Sequence, residues 1–178
     1  MKKYFYLFFL LFTTTIINAQ PSPTSADEIL KEARQQAMKE NKNVFIIFHA
    51  SWCVWCHRMD SSMDDPACKK FFDDNYVVRH MVVDESKDKK NLENPGANEL
   101  RNKYGGADQG IPYWLIIDAK GNLIFNSRIR SADSLANNIG CPATENEVAY
   151  FIEILKKTSK LSDAQQAAII KRFRKNEH

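Results

Sequence analysis

Two cysteines three residues apart lie in Trp52-Cys53-Val54-Trp55-Cys56-His57. A dithiol at this spacing can close and open a small disulfide ring by thiol–disulfide exchange, contribute to a metal site or, with the following histidine, attach a c-type haem. The motif follows the apolar run Val44-Phe45-Ile46-Ile47-Phe48 and opens a helical segment. Cys53 is therefore expected in the first helical turn, where unpaired amides and the helix dipole favour a thiolate. Cys56, on the same face one turn below, is placed to attack a mixed disulfide formed by Cys53. Trp52 and Trp55 are expected to form an apolar rim suited to docking unfolded or extended partners. Zinc asks for about four ligands, usually as two closely spaced pairs, and the chain has no second CxxC or close His pair.

The elements that must position these residues are legible from periodicity. Ser25-Ala26-Asp27-Glu28 has the form of a capping box, and Ile29, Ala33 and Ala37 follow at helical spacing, which predicts a helix over about 25–41. The uninterrupted run 44–48 reads as a central strand covered on both faces. Residues 53–75 read as helical with a break near Asp64-Asp65-Pro66, and Tyr76–Val83 as another strand. Strand, helical crossover and strand make a parallel βαβ unit. A short helix is expected over Ala97–Tyr104. Tyr113–Ile117 and Leu123–Phe125 flank a hairpin turn at Asp118-Ala119-Lys120-Gly121-Asn122. Thr144-Glu145-Asn146-Glu147 is another capping box, with Val148, Phe151, Ile152 and Leu155 on one helical face. Residues 128–143 are expected as a long loop, and about 162–175 as an amphipathic helical tail.

Of 178 residues, 44% are apolar and 26% charged, with 6 Gly and 6 Pro, which excludes collagen-like, coiled-coil and wholly disordered chains. The net charge of +3 is mild and spread along the chain, so no nucleic acid is expected as a partner. Met1-Lys2-Lys3, the uncharged and mostly apolar run Tyr4–Ile17 and Ile17-Asn18-Ala19 have the form of a secretory signal peptide over 1–19. The run of about 15 residues is short of the roughly 20 that a spanning helix needs. Cleavage before Gln20 would leave a nearly neutral chain without a cysteine at its new terminus for lipid attachment, and hence without stable membrane association.

Beyond the motif itself, the chain over roughly 42–157 resembles the thioredoxin superfamily. Phe48-His49-Ala50-Ser51-Trp52-Cys53-Val54-Trp55-Cys56 looks like the family's passage from strand to active site, and Asn94-Pro95-Gly96, Lys103-Tyr104-Gly105 and Gly110-Ile111-Pro112 recur in family order. The longer helical region with Asp65-Pro66 before Ala67-Cys68-Lys69-Lys70 is similar to an exported subgroup whose site reads Trp-Cys-x-x-Cys-His or -Lys. The resemblance implies an α/β thioredoxin-like fold, with a central mixed parallel/antiparallel sheet flanked by helices and one domain over 20–178. It also implies a cis peptide before Pro112, with the Ile111 backbone beside the sulfurs to receive a substrate strand. In this sequence Ile47 occupies the position, six residues before the first cysteine, of a buried acid that serves many thioredoxins as proton relay. His57, His49 and Asp84 are the candidates to replace it.

The reading that follows is an exported, periplasmic or secreted thiol–disulfide oxidoreductase. Cys53 attacks, Cys56 resolves, and Trp52, Trp55, Ile111 and Pro112 receive the substrate. Expected partners are protein thiols and disulfides and a redox partner protein; a monomer with no cofactor and no metal is expected. The rivals are a non-catalytic thioredoxin-like binding module and a c-type haem protein through Cys53-Val54-Trp55-Cys56-His57. Cys68 lies 15 residues past Cys53, roughly 20 Å along a helix, whereas Cys141 follows the last strand and returns toward the active-site end. The two are therefore expected not to be bonded to each other.

Overall fold

The computed structural model describes residues 22–129 and 137–177; the proposed leader, Met1–Ala19, lies outside them. Helix α1 (Ala26–Glu40) starts where Ser25 Oγ accepts from the Glu28 amide and stops at Asn41, which turns into the left-handed region at φ 53°. Strand β1 (Asn43–His49) leads into α2 (Val54–Met63) and, after the break at Pro66, α3 (Lys69–Asn75). Strand β2 (Tyr76–Val82) is followed by a 3₁₀ turn (Lys87–Leu92) and α4 (Ala97–Arg101). The hairpin β3 (Tyr113–Ile117) and β4 (Leu123–Asn126) precedes α5 (Glu145–Thr158), α6 (Asp163–Phe173) and a last 3₁₀ turn, Arg174–Glu177.

The sheet order is β2-β1-β3-β4, with β1 parallel to β2 and antiparallel to β3. β1 is thus an inner strand, and its side chains alternate between two cores. Phe45 and Ile47 join Trp114 and Ile116 under α2, α3, α5 and α6, where Met59, Phe71, Phe72, Phe151, Leu155, Ile169 and Phe173 are buried. Val44, Ile46 and Phe48 join Tyr113, Leu115 and Ile117 under α1 through Ala26, Ala33 and Ala37. The alanines let α1 lie close to the sheet, and the aromatics fill the wider space on the opposite face.

Local detail departs from the sequence reading in three places. Cys53 is the N-cap of α2 rather than a residue of its first turn. The helix expected to reach Tyr104 ends at Arg101 and opens into a wider turn, Asn102–Gly106, because Gly105 takes φ 86°. The expected loop 128–143 is partly sheet-like at its ends, where Ile129 donates to Asn137 O and Ile139 donates to Ser127 O. Both arms of the box close at Thr144/Glu147 and also at Ser162/Gln165, which starts α6.

Candidate active site

The turn between β1 and α2 is held by Cys53 N donating to Ala50 O at 3.1 Å. As N-cap, Cys53 presents Sγ to the Cys56 amide at 3.1 Å, an orphan donor of the helix start. Cys53 and Cys56 are joined in a disulfide with Cα atoms 5.3 Å apart. They pack with Ala50 and Ile111. Cys53 is only 3% exposed, so the sulfur sits in a shallow recess rather than standing free; Cys56 is fully buried beneath it.

The recess has an apolar rim. Trp52 is 57% and Trp55 44% exposed, with Val54 open between them. Trp52 Nε1 donates to Asp84 O at 2.8 Å, and the Arg58 guanidinium lies 4.6 Å over the Trp55 ring. On the opposite side the Ile111 carbonyl oxygen is 3.6 Å from Cys53 Sγ, and the Ile111–Pro112 peptide is cis. Asn138 Nδ2 ties this segment down by donating to Gly110 O at 2.7 Å and Pro112 O at 3.0 Å. From there an open groove of about 650 Å³ runs past Trp55, Pro112, Ile139 and Cys141 to Glu177.

The three relay candidates occupy different surroundings. His57 Nε2 lies 3.1 Å from Ser51 O; a carbonyl only accepts, so this nitrogen carries the proton and points back along the chain. The Asp84 carboxylate pairs with Arg101, itself largely buried. His49 stacks against His80 with ring centroids 4.9 Å apart. Its Nδ1 is buried without a partner among the described residues, and burial together with the nearby His80 and His57 holds its pKa below the usual value. His80 in turn meets Asp60 at 2.8 Å.

Cys68 and Cys141 are buried and unbonded. Burial pushes their thiols up to about 11 and about 12, so both are protonated at neutral pH. Cys141 lines the groove, and its sulfur accepts from Asn176 Nδ2 at 3.3 Å.

Several supporting residues escaped the sequence reading: Glu85, which holds Ser51; Asn138; Arg101; and Asn176. Their partners are mostly distant in sequence. For Glu85 there was a local signal, since a strand in an α/β sheet that ends in adjacent acids places them at the carboxyl edge, where sites form.

A family model described as thioredoxin-like matches residues 26–119, just over half of the chain. The chain belongs to the thioredoxin-like family. A search of curated proteins finds no match. Among solved structures, it is similar to a disulphide isomerase from Xylella fastidiosa Temecula1, with 18% identity over 95% of this chain and 100% of that one and a TM-score of 0.49. It is similar also to the oxidised C-terminal domain of DsbD from Neisseria meningitidis, with 18% identity over 77% and 99% and a TM-score of 0.44. A third is the exposed lipoprotein thioredoxin of Streptococcus pneumoniae strain TIGR4, at 21% identity, 78% and 99% coverage and a TM-score of 0.43. A CxxC disulfide capping the helix after the inner strand of a thioredoxin-like chain makes this protein a thiol–disulfide oxidoreductase. The far wall of its groove, residues 137–144 and Glu177, lies beyond the matched segment.

Proposed function

We propose that this thioredoxin-like protein is an exported oxidoreductase that exchanges disulfides with polypeptide substrates, Cys53 attacking and Cys56 resolving. The observation that carries the reading is the Cys53–Cys56 disulfide set between two exposed tryptophans at the head of an open groove. A lone structural disulfide would have no need of large apolar side chains held in water around it. The leader-like segment 1–19 supports export to the periplasm or beyond.

In the reducing direction, the Cys53 thiolate attacks one sulfur of a substrate disulfide, forming a mixed disulfide and releasing the other substrate sulfur as a thiolate. Cys56 then gives up its proton and attacks Cys53 Sγ. The substrate leaves as a dithiol, and the Cys53–Cys56 disulfide is restored. Two electrons have passed to the substrate, whose sulfurs take up the Cys56 proton and one from water, where Cys53 had released its own; a dithiol redox partner returns the electrons by the same exchange. Trp52, Trp55, Ile111 and Pro112 would hold the substrate chain beside Cys53. Cys56, enclosed by Ala50, Cys53 and Ile111, is shielded from outside disulfides and acts only once the mixed disulfide has formed on Cys53. The haem alternative suits these residues less well, since the sulfurs are recessed under Ile111 and the His57 ring is engaged by Ser51 O.

Trapping tests the reading. Cys56→Ser should accumulate mixed disulfides with exported proteins, whereas Cys53→Ser should trap none, and the wild type should reduce or form insulin-type disulfides. Trapping by Cys53→Ser alone would reverse the roles; no trapping by either variant, with an inactive wild type, would leave a binding module.

A further inference from the structure

Glu85 is a carboxylate inside the protein, only 4% exposed, and the exchange chemistry above makes no use of it. Its placement follows from the end of β2. Val83 N donates to His49 O at 2.8 Å, keeping the chain against β1, and Asp84 takes a left-handed φ of 54°. That turn brings Glu85 beneath the β1–α2 connection. One carboxylate oxygen accepts from the Ser51 amide at 2.6 Å and the other from the Ser51 hydroxyl at 2.8 Å. Glu85's own amide donates to Glu93 Oε1 at 2.7 Å. Ser51 stands two residues before Cys53, and its carbonyl is the group that engages His57.

The charges around Glu85 are few. Lys89 reaches in from the 3₁₀ turn, its Nζ 3.5 Å from Ser51 Oγ, and His49 contributes from β1. Glu93 is paired with Lys90, and Asp84 with Arg101. Burial works against the Glu85 charge, but the two Ser51 hydrogen bonds, with Lys89 and His49, outweigh it and hold the carboxyl below its usual range. The group is ionised wherever the protein works near neutral pH.

A tie for one turn does not require a charge, since a neutral amide could accept the same amide hydrogen. A fixed negative charge at the start of the Cys53 turn does something more. It opposes the thiolate that the α2 amides favour, by Coulomb repulsion across the Ser51–Cys53 turn of order half to one pKa unit. The disulfide carries no charge, so only the reduced form is destabilised, and the dithiol surrenders its electrons more readily.

We infer that Glu85 is a positioning residue that both pins Ser51 and, through its charge, biases the Cys53–Cys56 pair toward reducing its substrates. The inference rests on Cys53 being the attacking thiol. The bias acts only where Cys53 is ionised; at acid pH the reduced pair is neutral and the effect vanishes.

The test uses the reduced full chain. The rate of Cys53 alkylation by iodoacetamide is followed against pH with the modified cysteine identified by mass, and the exchange equilibrium with glutathione is measured at pH 5 and pH 9. Glu85→Gln should lower the Cys53 alkylation midpoint by about half to one unit. It should shift the equilibrium toward the reduced protein about three- to tenfold at pH 9 and leave it unchanged at pH 5. Glu85→Asp should restore most of the wild-type profile. Lys89→Gln, a change at the surface, should move the midpoint upward by removing the lysine charge beside Ser51, and it serves if Glu85→Gln does not fold. An unmoved Cys53 midpoint in Glu85→Gln, or in Lys89→Gln where the former is unfolded, would overturn the inference while leaving the exchange reading intact. Equal shifts at both pH values would reduce Glu85 to a structural tie. Alkylation of Cys56 ahead of Cys53 would instead show that the assignment of the nucleophile has failed.

Discussion

The four cysteines are divided sharply by their surroundings. Cys53 caps α2 and is bonded to Cys56 in its first turn, while Cys68 and Cys141 are buried thiols pushed up to about 11 and about 12. A thiol with so little thiolate is a poor nucleophile. In the folded oxidised protein, Cys68 and Cys141 should therefore resist alkylation at pH 8 and become reactive only in denaturant, which thiol counting by mass would show; rapid labelling of Cys141 would place it in the exchange chemistry. His49 offers a second check. Burial, then the neighbouring His80 and His57 rings, hold its folded pKa below its ordinary value of about 6.5. The unfolded ring takes up a proton first as pH falls, so stability present above about pH 6.5 declines below it until the folded ring also titrates. His49→Gln should lose less melting temperature than the wild type between pH 7 and pH 5. The cysteines and tryptophans were legible because chemistry and local spacing coincide in them. The enclosure of the His49 ring was not, because His80 of a neighbouring strand packs against it.

At the level of elements, periodicity carried most of the fold. The alternation hidden inside the continuous apolar run of β1 splits it between two cores, and the turn residues after Ile117 close a hairpin as expected. What the run could not show is how that hairpin is fastened. Arg34 of α1 donates to Ala119 O and Lys120 O, 85 and 86 residues away, so the clamp has no local signature. Gly121 makes the clamp possible. It takes φ 96°, and a Cβ there would stand 2.8 Å from Arg34 Cζ. Gly121→Ala should cost about 1–3 kcal/mol, from left-handed strain and displacement of the arginine; a urea midpoint within error of wild type would show that the turn rearranges freely. The hydroxyl cap of α5 is an independent contribution. Thr144 Oγ1 accepts from Glu147 N at 3.3 Å, and Thr144→Ala should cost about 1 kcal/mol.

Across the whole molecule, the catalytic helix and the far wall of the groove are fastened together by the last turn of the chain. α6 buries Ile169 and Phe173 in the larger core beside Phe72 and Phe151. The turn after it then places Asn176, 4% exposed, between α2 and the loop 141–143. Asn176 Nδ2 meets Ser62 Oγ at 3.0 Å and Cys141 Sγ and Pro142 O at 3.3 Å, and its own carbonyl accepts from Arg58 at 2.8 Å. Arg58 is the residue lying over Trp55, so one buried residue, through its backbone carbonyl on one side and its side-chain amide on the other, connects the exposed rim to the groove wall. The amphipathic tail was legible as a helix from its periodicity, but its role was not, because an asparagine among charged residues, Arg174-Lys175-Asn176-Glu177, reads locally as a solvated side chain. Asn176→Ala would leave Pro142 O without its amide donor and open space beside Ser62 and Cys141, costing about 1–3 kcal/mol. The redox pair makes no contact with this amide, so exchange with small disulfides should be unchanged, whereas a polypeptide disulfide that needs the groove should show a raised KM. Denaturant unfolding and steady-state kinetics on both substrate types measure the two effects; equal losses on small and polypeptide disulfides would mean that the tail supports the fold alone.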